Sequence, residues 1–263
     1  MRVPYYQVNA FTSKTFGGNP AGVCPLDGWL ADDVLQSIAA ENNLSETAFF
    51  APEGNGFRLR WFTPAVEVDL CGHATLASAH VLFRESGWGS AEIRFVTRSG
   101  VLTAKRAVDR IELDFPSRPP VVAPDSSESM VALGLGSQPR EVWRSRDYMA
   151  VFESEAEVEG LTPDMSLLEE LECTGVIATA PGDRVDFVSR FFAPRVGIPE
   201  DPVTGSAHCT LIPYWAGRLG KPTLFARQIS KRGGELHCRN LGERVAIGGR
   251  CVVYSRGEIL LEP

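Results

Sequence analysis

Cysteine is scarce: Cys24, Cys71, Cys173, Cys209, Cys238 and Cys251 are the only six in 263 residues, and no Cys-x-x-Cys pair occurs. That density is too low for a disulfide scaffold, so the thiols read as reduced. Histidine is equally sparse, and His73, His80, His208 and His237 show no metal-ligand spacing. Cys71/His73 and His208/Cys209 are each too close in sequence to build a zinc site unaided, so no metal is expected. Neither nucleotide-loop pattern is present, and Phe16-Gly17-Gly18-Asn19-Pro20 reads as a turn rather than a phosphate loop; no cofactor is expected either. Positive charge is in deficit, 26 Lys+Arg against 33 Asp+Glu for a net −7, so no overall field would draw nucleic acid or anionic lipid. A small anion bound by a local nest of backbone N–H groups stays compatible with that charge. There is no charge-free apolar run of roughly 18 residues, and Met1-Arg2-Val3-Pro4-Tyr5-Tyr6-Gln7 lacks the apolar core of a secretion signal. No membrane partner is expected, and the location expected is the cytoplasm.

What is present is globular composition, 44% hydrophobic and 22% charged, in a length that allows one large or two modest domains. An internal repeat favours two. Arg60-Trp61-Phe62-Thr63-Pro64-Ala65-Val66 matches Arg190-Phe191-Phe192-Ala193-Pro194-Arg195-Val196 at an offset of about 130 residues. In the same order, Gly72-His73-Ala74 matches Gly205-Ser206-Ala207, Gly87 matches Gly220, Arg98-Ser99-Gly100 matches Arg232-Gly233-Gly234, and Asp109-Arg110-Ile111-Glu112-Leu113 matches Glu243-Arg244-Val245-Ala246-Ile247. Prolines and serines from Pro116 to Ser127 mark a linker, which divides the chain into halves 1–116 and 117–263, the last strand being free to pack back on the first half.

Local patterns agree between the halves. Phe57, Leu59 and Trp61 alternate with Arg58 and Arg60, Phe187 and Phe191 alternate with Asp186 and Arg190, and Ile111, Leu113 and Phe115 alternate with Glu112 and Asp114. Such one-faced strands predict mostly antiparallel sheet. Residues 31–41 carry an amphipathic helical stripe of Val34, Leu35, Ile38 and Ala39. Residues 73–85 and 206–218 are apolar on most sides, which predicts one buried helix in each half, the second bent at Pro213.

Each buried helix starts at a small-residue turn, Cys71-Gly72-His73 or Thr204-Gly205-Ser206, preceded by Asp69 or by Asp201-Pro202. A helix start offers unpaired N–H groups and the positive dipole end to an anion, and glycine lets it approach the backbone; the same residues also suit ordinary caps. His73 carries a proton-exchanging imidazole at such a start, although a capping histidine has the same pattern, while His80 and His208 read as core histidines and His237 as a strand residue. Cys71 is either a thiol activated by the dipole or a small hydrophobe. Glu46, in Asn43-Leu44-Ser45-Glu46-Thr47, heads an apolar strand, where partial withdrawal from water raises a carboxyl towards the range useful for proton transfer. The repeat places Gly175 or Val176 at the equivalent position, so this acid is not duplicated with the scaffold.

Val8-Asn9-Ala10-Phe11-Thr12, Gly18-Asn19-Pro20-Ala21-Gly22-Val23, Asn43-Leu44-Ser45-Glu46-Thr47, Arg60-Trp61-Phe62-Thr63-Pro64, Cys71-Gly72-His73-Ala74-Thr75 and Glu200-Asp201-Pro202-Val203-Thr204-Gly205-Ser206-Ala207 together resemble the PhzF-like (phenazine biosynthesis-like) family over nearly the whole chain. The resemblance implies an α+β fold of two similar diaminopimelate-epimerase-like domains, each a curved, mostly antiparallel sheet around a central apolar helix, with the active site in the cleft between them and usually a homodimer. It also implies an isomerase that moves a proton between ring carbons without metal or cofactor, as the family's trans-2,3-dihydro-3-hydroxyanthranilate isomerase does. Carried onto this chain, the catalytic residues are Glu46, His73 and Asp201, and the substrate carboxylate and polar groups meet Gly72, Gly205, Ser206, Cys71, Thr204 and Asn19. Cys71 departs from that isomerase's pattern, which has a small apolar residue there, and resembles the thiol of diaminopimelate epimerases and proline racemases. Those enzymes use two cysteines, and the second position here is Thr204. An epimerase or dehydratase of a cyclic amino acid based on Cys71 is therefore the second reading, and a small-acid-binding or interaction protein without catalysis the third.

Overall fold

The computed structural model describes residues 1–262, and its chain forms two compact units: Met1–Asp114 together with the segment from Gly248 onward, and Phe115–Ile247. The first unit contains strands β1 (Arg2–Ala10), β2 (Asn19–Pro25), β3 (Glu46–Glu53), β4 (Gly56–Phe62), β5 (Glu67–Val68), β6 (Glu92–Thr97) and β7 (Gly100–Arg106), with helices α1 (Asp32–Asn42) and α2 (Gly72–His80). Strand β8 (Ile111–Pro116) runs out of this unit. The second unit contains β9 (Val121–Val122), β10 (Glu141–Arg144), β11 (Tyr148–Val151), β12 (Val176–Pro181), β13 (Phe187–Phe192), β14 (Thr223–Gln228) and β15 (Gly234–Asn240), with helices α3 (Asp125–Leu135), α4 (Glu155–Glu159), α5 (Met165–Glu169) and α6 (Gly205–Leu219). Strand β16 (Arg244–Gly249) leads back to the first unit, where β17 (Cys251–Leu260) pairs antiparallel with β1 along its length.

The two ladders repeat. From β1 through β2, β3, β4 and β6 to β7 the pairings are antiparallel, parallel, antiparallel, parallel and antiparallel. From β10 through β11, β12, β13 and β14 to β15 the same sequence recurs. Two similar α+β units are thus present, and their sheets are more mixed than side-chain alternation predicts. Alternation records which face is buried, whereas strand direction depends on connections, here long ones through α1 and through α4 and α5.

Each sheet holds one buried helix. In α2 every residue from Gly72 to Ala79 is buried, and the helix packs on β1, β2 and β3. The α-helix stops at His80; Val81–Glu85 form a π turn closed by Ser86 N–H to Val81 O at 2.9 Å, where the sequence predicts continuous helix to residue 85. In α6, Trp215 stacks on Phe187 at 5.7 Å between ring centroids, and Pro213 is accommodated within one helix. The segment read as linker is partly structured: β9 pairs with β10, and α3 begins at Asp125 after Pro124 as N-cap, a place where proline's fixed φ fits the extended backbone that enters a helix. Among the described residues no helix is long and apolar enough to cross a membrane.

Candidate active site

Backbone geometry places Glu46. Helix α1 ends at Asn43 in the left-handed region (φ 48°), a conformation that asparagine tolerates, and three residues later β3 begins with Glu46. In the parallel ladder of β2 and β3, Ala21 lies beside Glu46, so Asn19 at the start of β2 comes to the same end of the sheet. The turn before it depends on Gly18, whose φ is +67° and whose missing Cβ would stand 2.1 Å from Ala10 O.

Helix α2 brings its first turn to these two residues. His73 Nε2 lies 3.2 Å from Glu46 Oε2, and Nδ1 lies 3.3 Å from Asn19 Nδ2 and 3.5 Å from Cys71 Sγ. Asn19, Cys71 and His73 are buried, and Glu46 is nearly so. Among the described residues, Glu46 Oε2 and His73 Nε2 meet no hydrogen-bonding group beyond each other, which leaves each with capacity for a ligand. Burial pushes the Cys71 thiol up to about 11, with the Glu46 charge adding to the rise and His73 opposing it, so Cys71 is a thiol at neutral pH. Burial alone would depress His73, but Cys71 and Glu46 outweigh it and hold the imidazole well above the ordinary histidine range.

Glu46, Cys71 and His73 also offer donor atoms within 4.8 Å of one another. Spacing along the sequence hides this cluster, because Glu46 comes from a different strand. Its geometry is a chain rather than a convergent set: the thiol meets Nδ1 and the carboxylate faces Nε2, on opposite edges of the ring. Tetrahedral zinc ligands stand roughly 3.5 Å apart around one ion, which these atoms reach only if the imidazole turns.

The second unit carries the remaining residues. Thr204, the N-cap of α6, donates its hydroxyl to Asp201 Oδ2 at 2.5 Å, and both are buried. Gln228 on β14, absent from the sequence reading, ties this turn together. Its Oε1 accepts from Thr204 N–H at 2.8 Å and its Nε2 donates to Asp201 O at 2.8 Å. A lone glutamine in a strand has no local signature; only the long-range contact reveals it. Gly205 is buried and Ser206 partly exposed in the first turn of α6, and His208 Nδ1 donates to Thr204 O at 2.8 Å.

One device recurs in both units. Arg60 clasps Glu67 through two bonds of 2.8 Å each, and Arg190 clasps Glu200 at 2.8 and 3.0 Å. Glu67 precedes Gly72, and Glu200 precedes Gly205, by the same number of residues. These largely buried bidentate pairs anchor the chain just before each helix start.

Residues 8–257 match the family model described as phenazine biosynthesis-like protein. A protein of Pseudomonas aeruginosa named as an uncharacterized isomerase is 53% identical over 99% of this chain and 100% of its own length. The human phenazine biosynthesis-like domain-containing protein is 42% identical over 100% of this chain and 98% of its own. The crystal structure of an Enterococcus faecalis phenazine biosynthesis protein of the PhzF family superposes with a TM-score of 0.96 at 47% identity, covering 99% of this chain and 100% of that one. The family match and the relatives named as isomerases make this an enzyme of the isomerase class. The chain belongs to the phenazine biosynthesis-like, or PhzF, family.

Proposed function

We propose that the protein is an isomerase of a small amino- or hydroxy-substituted carboxylic acid, similar to trans-2,3-dihydro-3-hydroxyanthranilate isomerase, with Glu46 as the group that moves the proton. The observation that carries this reading is the buried Glu46–His73 pair, whose facing oxygen and nitrogen have no other partner. The Glu46 carboxylate takes a proton from a substrate C–H, the electron pair shifts into the adjoining π system, and the resulting carboxylic acid returns the proton to another carbon of the same molecule. Atoms and charge balance within the substrate and one carboxyl. His73, hydrogen-bonded to a substrate amino or hydroxyl group, steadies the charge that builds up during the shift. Asp201, Gly205 and Ser206 keep the assignment given by the family resemblance, Asp201 to a polar substituent and the helix-start N–H groups to a carboxylate.

A second reading makes Cys71 the base, favoured by its sulfur lying 3.5 Å from His73 Nδ1. Its thiol form at neutral pH counts against it as the resting base. A panel of dihydroanthranilate-like acids and cyclic amino acids, incubated with native, Glu46→Gln and Cys71→Ser proteins, separates the two. Turnover lost with Glu46→Gln and kept with Cys71→Ser supports the glutamate, and the reverse pattern supports the thiol.

A further inference from the structure

We propose that the first unit carries a second anion pocket, at the far end of α2, that binds a small organic oxyanion with an apolar body. The cavity has a volume of about 210 Å³. Its walls come from the π turn after α2, from β7, from the turn before β8 and from the start of β17. His80 lies seven positions beyond His73 on α2, roughly 10 Å along the axis at ~1.5 Å per residue, so the cavity is separate from the Glu46–His73 cluster.

Positive charge is only partly matched in this cavity. Four arginines line the cavity. Arg110 is matched by Asp109 at 3.1 Å and Glu112 at 3.2 Å, and Arg250 also pairs with Asp109. Arg106 meets no carboxylate; it donates to Phe83 O at 3.3 Å and Trp88 O at 3.0 Å and lies 4.6 Å over the Phe83 ring, which seals the carbonyl end of the π turn. Among the described residues Arg84 has neither a carboxylate nor a carbonyl partner, and the His80 imidazole and Ser13 hydroxyl that line the same cavity make no hydrogen bond. Among the described residues Arg84 and Arg106 thus have no carboxylate partner, and Glu85, whose charge acts on His80, is itself paired with Arg256 at 3.2 Å.

A second arginine-lined cavity shows that the residue type alone is not the signal. It has the same volume, about 210 Å³, and is lined by Trp29, Arg58, Leu59, Arg60 and Arg98. There Arg58 is paired with Glu53, Arg60 with Asp32 and Glu67, and Arg98 with Glu67, so the protein supplies the counter-charges itself. In the pocket beyond α2 it does so for Arg110 and Arg250 and leaves Arg84 and Arg106 without a carboxylate among the described residues. Asp109 repels an anion from the Arg110 side, which directs the head group to Arg84, His80 and Ser13, while Phe83, Ile111 and Val252 offer an apolar wall to the rest of the ligand.

The test uses the intact protein with selective labelling of histidine rings, His80 being assigned through His80→Gln. Inorganic phosphate, phenyl phosphate and benzoate are titrated separately at constant ionic strength, with chloride as the control. The expected result is a saturable shift of the His80 ring signals with phenyl phosphate or benzoate, tighter than with inorganic phosphate. It weakens about tenfold in Arg84→Gln, corresponding to about 1.4 kcal/mol, and is unchanged in Glu46→Gln. Whichever aryl anion binds more tightly names the head group, phosphate or carboxylate. No saturable shift, or the same affinity in Arg84→Gln, or an equal response to chloride, overturns the proposal. Loss of turnover bears on the Glu46 reading alone, because Arg84 is exposed and lines the separate cavity beyond α2.

Discussion

Glu46 Oε2 and His73 Nε2 lie 3.2 Å apart, with no other hydrogen-bonding group at either atom. Cys71 and the Glu46 carboxylate together hold up a charged imidazole that burial would otherwise neutralise. His73 should therefore keep its proton above pH 6.5, and in Glu46→Gln its pKa should fall below that of the native protein. Histidine NMR titration checks both. The sign for stability follows: a histidine raised by a partner contributes stability that is complete below 6.5 and is lost as pH rises through the folded-state value. Glu46→Gln should remove the share of it that Glu46 supplies.

Cys71 is buried and its thiol is pushed up to about 11. At pH 7.5 it should react with iodoacetamide far more slowly than a free cysteine does, and Cys71→Ser should retain turnover within about tenfold of native. Replacing a general acid–base group costs ~10²–10⁴-fold, so the two variants are distinguishable by initial rates alone.

The paired clasps, Arg60 with Glu67 and Arg190 with Glu200, are each mostly withdrawn from water. Glu200→Gln should destabilise the protein by about 1–3 kcal/mol, because it leaves an arginine short of its charge partner beside the α6 start. Urea unfolding measures this. Arg2 and Glu258, exposed at 73% and 49%, form a comparison pair whose loss should be barely detectable.

His208 is fully buried, its Nδ1–H is committed to Thr204 O, and its Nε2 has no acceptor. Burial lowers its pKa from 6.5 to about 4, against the opposing pull of the Thr204 carbonyl. The unfolded chain therefore takes up a proton that the folded protein refuses, and stability falls as pH drops from 6.5 towards 4. Between pH 7 and pH 5 this group should account for about 2 kcal/mol of lost stability. His208→Phe, if folded, should flatten that part of the curve in urea unfolding at the two pH values.

Much of the scaffold is written locally. The buried helices announce themselves by apolar residues on every face, and the Arg60 and Arg190 matches mark equivalent strands because each arginine holds an acid ahead of a helix start. Those acids align with the helix starts and not with the arginines, since Arg60 and Glu67 are seven residues apart and Arg190 and Glu200 ten. The register resolves what the sequence leaves open about Glu46. Phe49 pairs with Arg60 as Ala178 pairs with Arg190, and counting back three residues sets Gly175 against Glu46. Partners far apart in the chain were not legible. Gln228 closes the Asp201–Thr204 turn from another strand, and the gathering of Glu46, Cys71, His73 and Asn19 depends on how β2, β3 and α2 meet. The parallel pairs were hidden for the same reason.

Proton NMR in D₂O follows carbon-bound hydrogen directly and so reaches the central claim, that Glu46 carries the proton. With the acid that the native protein isomerises, signal should migrate or exchange at the reacting carbons in native and Cys71→Ser proteins. In Glu46→Gln of unchanged fold it should be at least about a hundredfold slower. Exchange that continues at the native rate in Glu46→Gln and stops in Cys71→Ser would contradict the account and move the base to sulfur.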